Sequence, residues 1–250
     1  MIDDLIALRL QLDWGADEAL GDVPVDRFGA LPAAVAPKAP ARLGIAPAEP
    51  TARLPGRAIV EADTLDALHA ELDAFTACPL RATATHTVRP SGAADAPLLL
   101  IGDAPGSEDD RSGQAFSGPP GAMLDRVMAS VGLDRTRMLL MTLVPWRPPG
   151  NRPASESEVL TCLPFVHRLI DLVQPRAIML LGAGPVAALT GQNGTIRQLR
   201  GRWLEVTTQT PQMIYSGLPV LPLAQWLRDG TTKQQLWSDL MLLDARLRTG

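Results

Sequence analysis

The chain has 250 residues, 46% of them hydrophobic and 20% charged, and a formal net charge of −4 at pH 7. A chain of this size and composition buries one large core, which excludes a disordered protein, and its slight negative charge disfavours a generic binder of polyanions. Two cysteines are too few for a disulfide framework, and we interpret them as buried reduced thiols. Because the sequence has neither a membrane-length apolar run nor a basic leader, we expect a cytoplasmic protein without membrane contact.

The charge is distributed unevenly along the chain. Residues 1–110 carry 8 basic and 18 acidic side chains, whereas residues 111–250 carry 15 and 9. Most of the positive charge in the second half comes from arginine, whose planar guanidinium suits two-point contact with phosphate. On charge alone, an ordinary solvated arginine-rich surface is the favoured interpretation, and contact with a nucleic acid is the alternative.

The first 61 residues form two segments in front of a domain. Residues 2–12 place apolar side chains at helical spacing, which predicts an N-terminal helix within residues 1–20. Residues 30–57 contain 15 alanines or prolines among 28 residues and have no periodicity, which predicts an extended or mobile linker over residues 21–61. The domain then occupies residues 62–250.

The domain begins with a helix and continues as alternating strands and helices. One apolar stripe, from Leu65 to Phe75, predicts a helix at about 63–75. Short apolar runs predict four strands, at 97–103, 137–144, 176–182 and 219–224. Helical patterns separate or follow them, around 124–131 and at about 155–173, 184–190 and 231–247. This alternation predicts an α/β fold, a three-layer α/β/α sandwich around a central, mainly parallel four-stranded sheet.

The helix at 155–173 has two local signals. Ser155 followed three residues later by Glu158 is the pattern of a capping box, which predicts where the helix begins. Pro164 lies inside the predicted helix and indicates a kink or an early interruption.

The loop that follows the first strand is the first candidate for a site, because ligands bind beyond the carboxyl ends of parallel strands. Its sequence, GDAPGSEDDRSGQAFSGPPG, lacks the Gly-Lys-Ser/Thr of a phosphate-binding loop and the third glycine of a dinucleotide fingerprint. Its acids would also repel phosphate. The loop therefore disfavours a nucleotide-triphosphate site.

Five segments in order resemble the uracil-DNA glycosylase superfamily, and within it the family 4 type. They are GDAPG, GQAFSGPPGAMLDRVM, MTLVPWRPPGNRPASESEVLTCLPF, LRGRW and LRDGTTKQQLWSDL. The resemblance covers about residues 62–247. It implies an enzyme of base-excision repair that flips uracil or another deaminated base out of DNA and hydrolyses its N-glycosidic bond.

The resemblance assigns roles to individual residues. Asp103 stands where the family carries the Glu that lies near the sugar or its attacking water, and Phe116 stands where an aromatic ring stacks on the flipped base. We group Ala104 and Pro105 with the base-binding residues because they belong to the same motif. The expected DNA partner is uracil-containing or damaged, single- or double-stranded.

Six residues are candidates for DNA contact: Arg147, Asn151, Arg152, Arg200, Trp226 and Arg228. Arginine and asparagine suit phosphate contacts, and an aromatic wedge suits a groove. For Trp226 a wedge and a buried aromatic at a helix start remain open alternatives. For Arg147 and Arg152 the alternative is a structural tie between the proline-rich loop and a helix end.

Two departures from the family pattern affect the predicted chemistry. Thr142 stands in place of the uracil-reading Asn, and one hydroxyl cannot both accept from N3–H and donate to O4. Pro222 stands in place of the His that donates to the uracil oxygen, and proline has no N–H. A one-residue shift of the match would place Leu221 there instead, and its side chain has no donor either. Because losing one such donor costs about 10²–10³ in rate, we expect uracil excision to be weak or absent. His86 is the one further candidate for a replacement donor.

Many family 4 members carry an iron–sulfur cluster, so the resemblance suggests one here as well. Such a cluster needs four thiolates. Cys78 and Cys162 match two of the four ligand positions, whereas Phe75 and Trp146 occupy the others. We therefore expect no metal and no cofactor, with Trp146 as packing.

Three functional hypotheses follow. The first is a glycosylase with weakened or altered activity, and the second is an inactive DNA-binding or lesion-sensing protein. The third is a protein-interaction module that docks on a partner through residues 1–20, because a tether suits a binding element.

Overall fold

The computed structural model describes residues 60–209, 212–226 and 228–249. The predicted N-terminal helix at 1–20 and all but the last two residues of the predicted linker at 21–61 lie outside the described residues. The described residues belong to one compact unit of the chain. None of the helices in these three ranges is both long and apolar enough to span a bilayer.

The described residues form a six-stranded sheet in the order β1-β3-β2-β4-β6-β5. The strands are β1 Ser91–Gly92, β2 Leu98–Gly102, β3 Met138–Thr142, β4 Ala177–Leu181, β5 Leu204–Thr207 and β6 Ile214–Val220. The four central strands run parallel, whereas β1 and β5 pair antiparallel at the two edges. The predicted parallel sheet is confirmed, and the two short edge strands add to it.

The last central strand lies earlier in the chain than the sequence predicted. The apolar run at 219–224 indicated a strand, but β6 ends at Val220. Pro222 then precedes a short 3₁₀ turn at Leu223–Gln225. The prediction was wrong at this point because the apolar run continues past the end of the strand, where proline has no N–H for further pairing.

Seven helices and three short 3₁₀ turns connect or flank the strands in the described residues. The helices are α1 Leu65–Ala74, α2 Ser107–Ser112, α3 Gly118–Ala129, α4 Glu156–Val173, α5 Ala183–Thr190, α6 Ile196–Leu199 and α7 Gly230–Thr249. The other two turns are Pro79–Ala82 and Pro149–Asn151. The longer helices match the predicted ones, and the short α2 and α6 were not predicted.

The capping box at the start of α4 is present. The Ser155 hydroxyl accepts from the Glu158 N–H, and the Glu158 carboxylate accepts from the Ser155 N–H at 2.7 Å. The helix runs past Pro164 to Val173 without ending. Pro164 therefore does not interrupt this helix.

The core forms two layers, one on each face of the sheet. Alternate residues of β2 divide between them: Leu99 and Ile101 pack with α1, α4 and α5, whereas Leu98 and Leu100 pack with α3 and α7. All four side chains are fully buried. Burial of each contributes about 1.5–3 kcal/mol, which fixes the sheet between its helices and sets the direction of the loops at its carboxyl edge.

Candidate active site

The carboxyl ends of the central strands are joined by main-chain hydrogen bonds. The Leu143 N–H donates to the carbonyl oxygens of Gly102 and Asp103, at 2.8 and 3.0 Å. On the other side, the Gly182 N–H donates to the carbonyl of Val220 at 3.0 Å. The loops after β2, β3, β4 and β6 therefore begin side by side, as is usual for neighbouring parallel strands.

Asp103 is the first residue after β2; the residue is exposed, and its carboxylate lies against Gly182 and Gly184. A Cβ atom on Gly182 would lie 2.8 Å from one carboxylate oxygen and 3.6 Å from Cγ of Pro222. Desolvation in this turn raises the pKa of Asp103 to about 6, and a hydrogen bond from the Gly184 N–H acts in the opposite direction. The structure thus brings Asp103 close to Pro222.

Phe116 lies on the sheet beside Asp103. A Cβ atom on Gly102 would lie 2.8 Å from the tip of the ring, so this glycine makes room for it. The ring is 9% exposed and belongs to the core layer that contains α3 and α7. The ring therefore packs within this core layer, against Gly102 at the end of β2.

The backbone of Phe116 is held in a conformation that is uncommon for a side-chain-bearing residue. Its φ is +56°, in the left-handed region, which costs about 1–2 kcal/mol. Nη2 of Arg135 donates to the Phe116 carbonyl at 2.9 Å, and a Cβ on Gly121 would lie 1.8 Å from the same oxygen. Arg135 also pairs with Asp125 at 2.8 Å. Such maintained strain is typical of functional positions, and the role of Arg135 was not predicted from the sequence.

Thr142 ends β3 directly beside Gly102, its register partner in β2. Paired residues of parallel strands share a face, so Thr142 lies on the face that carries the Phe116 ring. The side chain is 6% exposed, and its hydroxyl donates to the Val144 carbonyl at 2.7 Å. With its proton used in this bond, the hydroxyl can only accept from a ligand.

The remaining loop candidates differ in exposure and position. Ala104 is half-buried against the core and Pro105 is buried. His86 is exposed, and its ring Nδ1 lies 2.8 Å from the Asp110 carbonyl. It lines a surface cleft together with His69 and other polar residues.

The proline-rich loop after β3 carries three of the predicted DNA contacts. Nε of Arg147 donates to the Asn151 side chain at 2.8 Å, and both residues retain exposed surface. Arg152 donates twice to Glu158, at 2.8 and 2.6 Å, and this pairing lowers the pKa of Glu158 to about 2. Arg152 therefore links the proline-rich loop to the start of α4, which is the structural alternative to a DNA contact.

Two other predicted contacts are engaged inside the fold. Trp226 is fully buried, and its indole N–H donates to the Leu221 carbonyl at 2.7 Å, so the structure gives it the packing alternative instead of the wedge. The Arg200 guanidinium pairs with the buried Asp239 at 2.7 Å. Neither is available to a phosphate in this conformation, whereas Arg228 is exposed.

The four positions that match cluster ligands lie together. The rings of Phe75 and Trp146 stack with centroids 6.3 Å apart, and the buried thiol of Cys162 is near enough to Cys78 to lower its pKa. Trp146 is buried and donates to Thr87 at 3.1 Å. Two thiols and two packed aromatic rings do not fit a four-thiolate cluster. No group of three or more metal-binding side chains occurs among the described residues.

Comparison with known proteins agrees with this geometry. Residues 89–240 match the family model described as the uracil DNA glycosylase superfamily. The type-4 uracil-DNA glycosylase of Thermotoga maritima is 32% identical over 133 residues, which are 52% of this chain and 69% of that protein. Those of Sulfurisphaera tokodaii and Pyrobaculum aerophilum are 30% and 29% identical, over 66% and 74% of their lengths. The match with the family model includes the loops after β2, β3, β4 and β6.

Proposed function

Because the chain belongs to the uracil-DNA glycosylase superfamily, we propose that it binds DNA and receives a flipped base between Phe116 and Thr142, with Asp103 beside the sugar. The observation that carries the proposal is the meeting of these three residues at the end of β2. A ring wall, a hydrogen-bonding side chain and a carboxylate are what base excision needs at one place.

The proposed chemistry is hydrolysis of the N-glycosidic bond. The bond between C1′ and the base nitrogen breaks with its electron pair on the base, water adds to C1′, and a carboxylate takes the proton of the water. With a pKa of about 6, the carboxyl group of Asp103 is mainly ionised above pH 6 and can accept this proton.

We propose that this reaction is slow or absent on uracil. The Thr142 hydroxyl donates its hydrogen bond to the Val144 carbonyl, so it cannot also donate to uracil O4. Pro222 supplies no donor for the leaving anion. The loss of one donor costs about 10²–10³ in rate, and two independent losses would cost about 10⁴–10⁶. The same two residues favour the second candidate, a lesion-sensing protein that binds DNA without cutting the glycosidic bond.

The DNA-facing surface in this proposal comprises Arg147, Asn151 and Arg228. All three retain exposed surface and follow the carboxyl ends of β3 or β6. Arginine contacts of this kind position a DNA backbone without reading its sequence. Binding should therefore weaken as salt increases.

The test uses the full chain and matched oligonucleotides that contain uracil, hypoxanthine, xanthine or only normal bases, single- and double-stranded. Alkali cleavage at abasic sites reports excision, and a salt-dependent mobility shift reports binding. Slow excision of one deaminated base supports the glycosylase, and salt-dependent binding without excision supports the sensor. Absence of both contradicts the proposal.

A further inference from the structure

Gly184 is the second residue of α5, and its backbone does not require glycine. Its φ lies outside the left-handed region, in contrast to Gly182, whose φ is +106°. Glycine is also a poor residue inside a helix, where alanine is preferred. Some other feature of the molecule therefore explains why this position lacks a side chain.

The space that a side chain would fill is occupied by the carboxylate of Asp103. A Cβ atom on Gly184 would lie 1.9 Å from Oδ1 and 3.1 Å from Cγ of Asp103. Real Cβ atoms are essentially never found this close to another heavy atom, so alanine here and the carboxylate in its present place exclude each other. The carboxylate thus lies beside the first turn of α5, where the helix dipole favours negative charge, and the nearby Gly184 N–H acts to lower the pKa of Asp103.

We propose that Gly184 is a positioning residue for Asp103, because its missing side chain leaves the space that the carboxylate occupies. Gly184 thus determines where the acid lies relative to the sugar of a flipped nucleotide. The catalytic meaning of this contact rests on the proposed function, whereas the contact itself does not. Breaking it with Gly184→Ala moves the carboxylate out of the turn and into solvent.

The first test is a double-mutant cycle in thermal stability. In the Asp103→Ala background the clash is absent, so Gly184→Ala should raise the midpoint by about 2–4 °C through helix propensity. In the wild-type background the carboxylate must first leave this space, so the same change should have a different effect on the midpoint from the one it has in the Asp103→Ala background, and this difference supports the proposal. An equal effect of Gly184→Ala in both backgrounds would overturn it. Gly230→Ala is the control because nothing lies within 4 Å of its Cβ position.

The second test measures the pKa of the Asp103 carboxyl group by ¹³C NMR, with Asp103→Asn to assign the signal. The expected value is about 6 in the wild type and closer to the ordinary value of about 4 in Gly184→Ala, because the carboxylate regains water. A value that stays at about 6 in Gly184→Ala contradicts the proposal.

Activity gives a separate readout. Where the wild type excises uracil, Gly184→Ala should lower kcat with KM unchanged, because Asp103 acts on the reacting atoms and not on DNA binding. A lower kcat together with a higher KM would indicate a general structural effect and would oppose the proposal. A wild type that neither excises a base nor binds DNA contradicts the proposed function, while the stability cycle and the titration still decide the role of Gly184.

Discussion

Combining Thr142→Asn with Pro222→His should create or increase uracil excision. The asparagine amide can accept from N3–H and donate to O4, and the histidine can donate to the oxygen of the departing base. Both changes fall at the carboxyl edge of the sheet near Phe116 and Asp103. Excision should increase because positions 142 and 222 are where the base-reading amide and the oxygen donor are missing.

The structure sets the size of the effect and its cost. Pro222 has φ −56° and ψ 144°, values that histidine adopts without strain, so the replacement costs about 0.4–1 kcal/mol through the unfolded chain. Position 142 is 6% exposed, and one additional heavy atom there costs about 1–3 kcal/mol if the base pocket does not receive it. Each donor contributes about 10²–10³ in rate, so we expect a gain of at least about 10² in the double variant.

The assay is single-turnover release of an abasic product from a uracil-containing oligonucleotide, with thermal midpoints recorded for each variant. Asp103→Asn added to the double variant is the control, and it should remove the gain. A folded double variant that binds DNA and remains without excision would refute the assignment of positions 142 and 222 to the base pocket.

Two arginine contacts give further predictions. Arg135→Ala frees the Phe116 carbonyl and should destabilise the fold by about 1 kcal/mol while reducing the preference for uracil-containing DNA. The control is Arg137→Ala, which removes an exposed arginine that donates to the Gly132 carbonyl. Equal effects of the two variants would contradict the role of Arg135. Arg152→Ala removes the pairing that lowers the pKa of Glu158 to about 2. That pairing stabilises the fold fully above the unfolded pKa of about 4.3 and is lost as pH falls towards 2, so denaturant melts of wild type and variant should converge over this interval. A stability difference independent of pH would oppose this explanation.

The fold was largely predictable because its signals are local. The buried runs of the four central strands and the Ser155–Glu158 capping box each follow from spacing and residue type. The edge strands were missed because β1 has two residues and β5 has four, too few for a reliable period. The position of β6 was misjudged for a related reason, because an apolar run does not show where pairing stops.

The candidate site was predictable in part. The loop rule for parallel sheets and the resemblance placed Asp103, Phe116 and Thr142 at one edge. The contacts of Arg135 with Phe116 and of Gly184 with Asp103 join residues 19 and 81 positions apart, and a single sequence contains no signal for such pairs. The same limitation applies to Trp226, whose burial depends on the packing of α7.

The central claim is that a flipped base rests against Phe116, and binding of uncleavable DNA tests it most directly. Affinities are compared for duplexes that carry 2′-fluoro-deoxyuridine or thymidine at one position, with wild type and Phe116→Leu, which keeps most of the core volume. The account predicts that wild type prefers the deoxyuridine duplex and that Phe116→Leu loses the preference with unchanged affinity for the thymidine duplex. An equal preference in both folded proteins would contradict the claim.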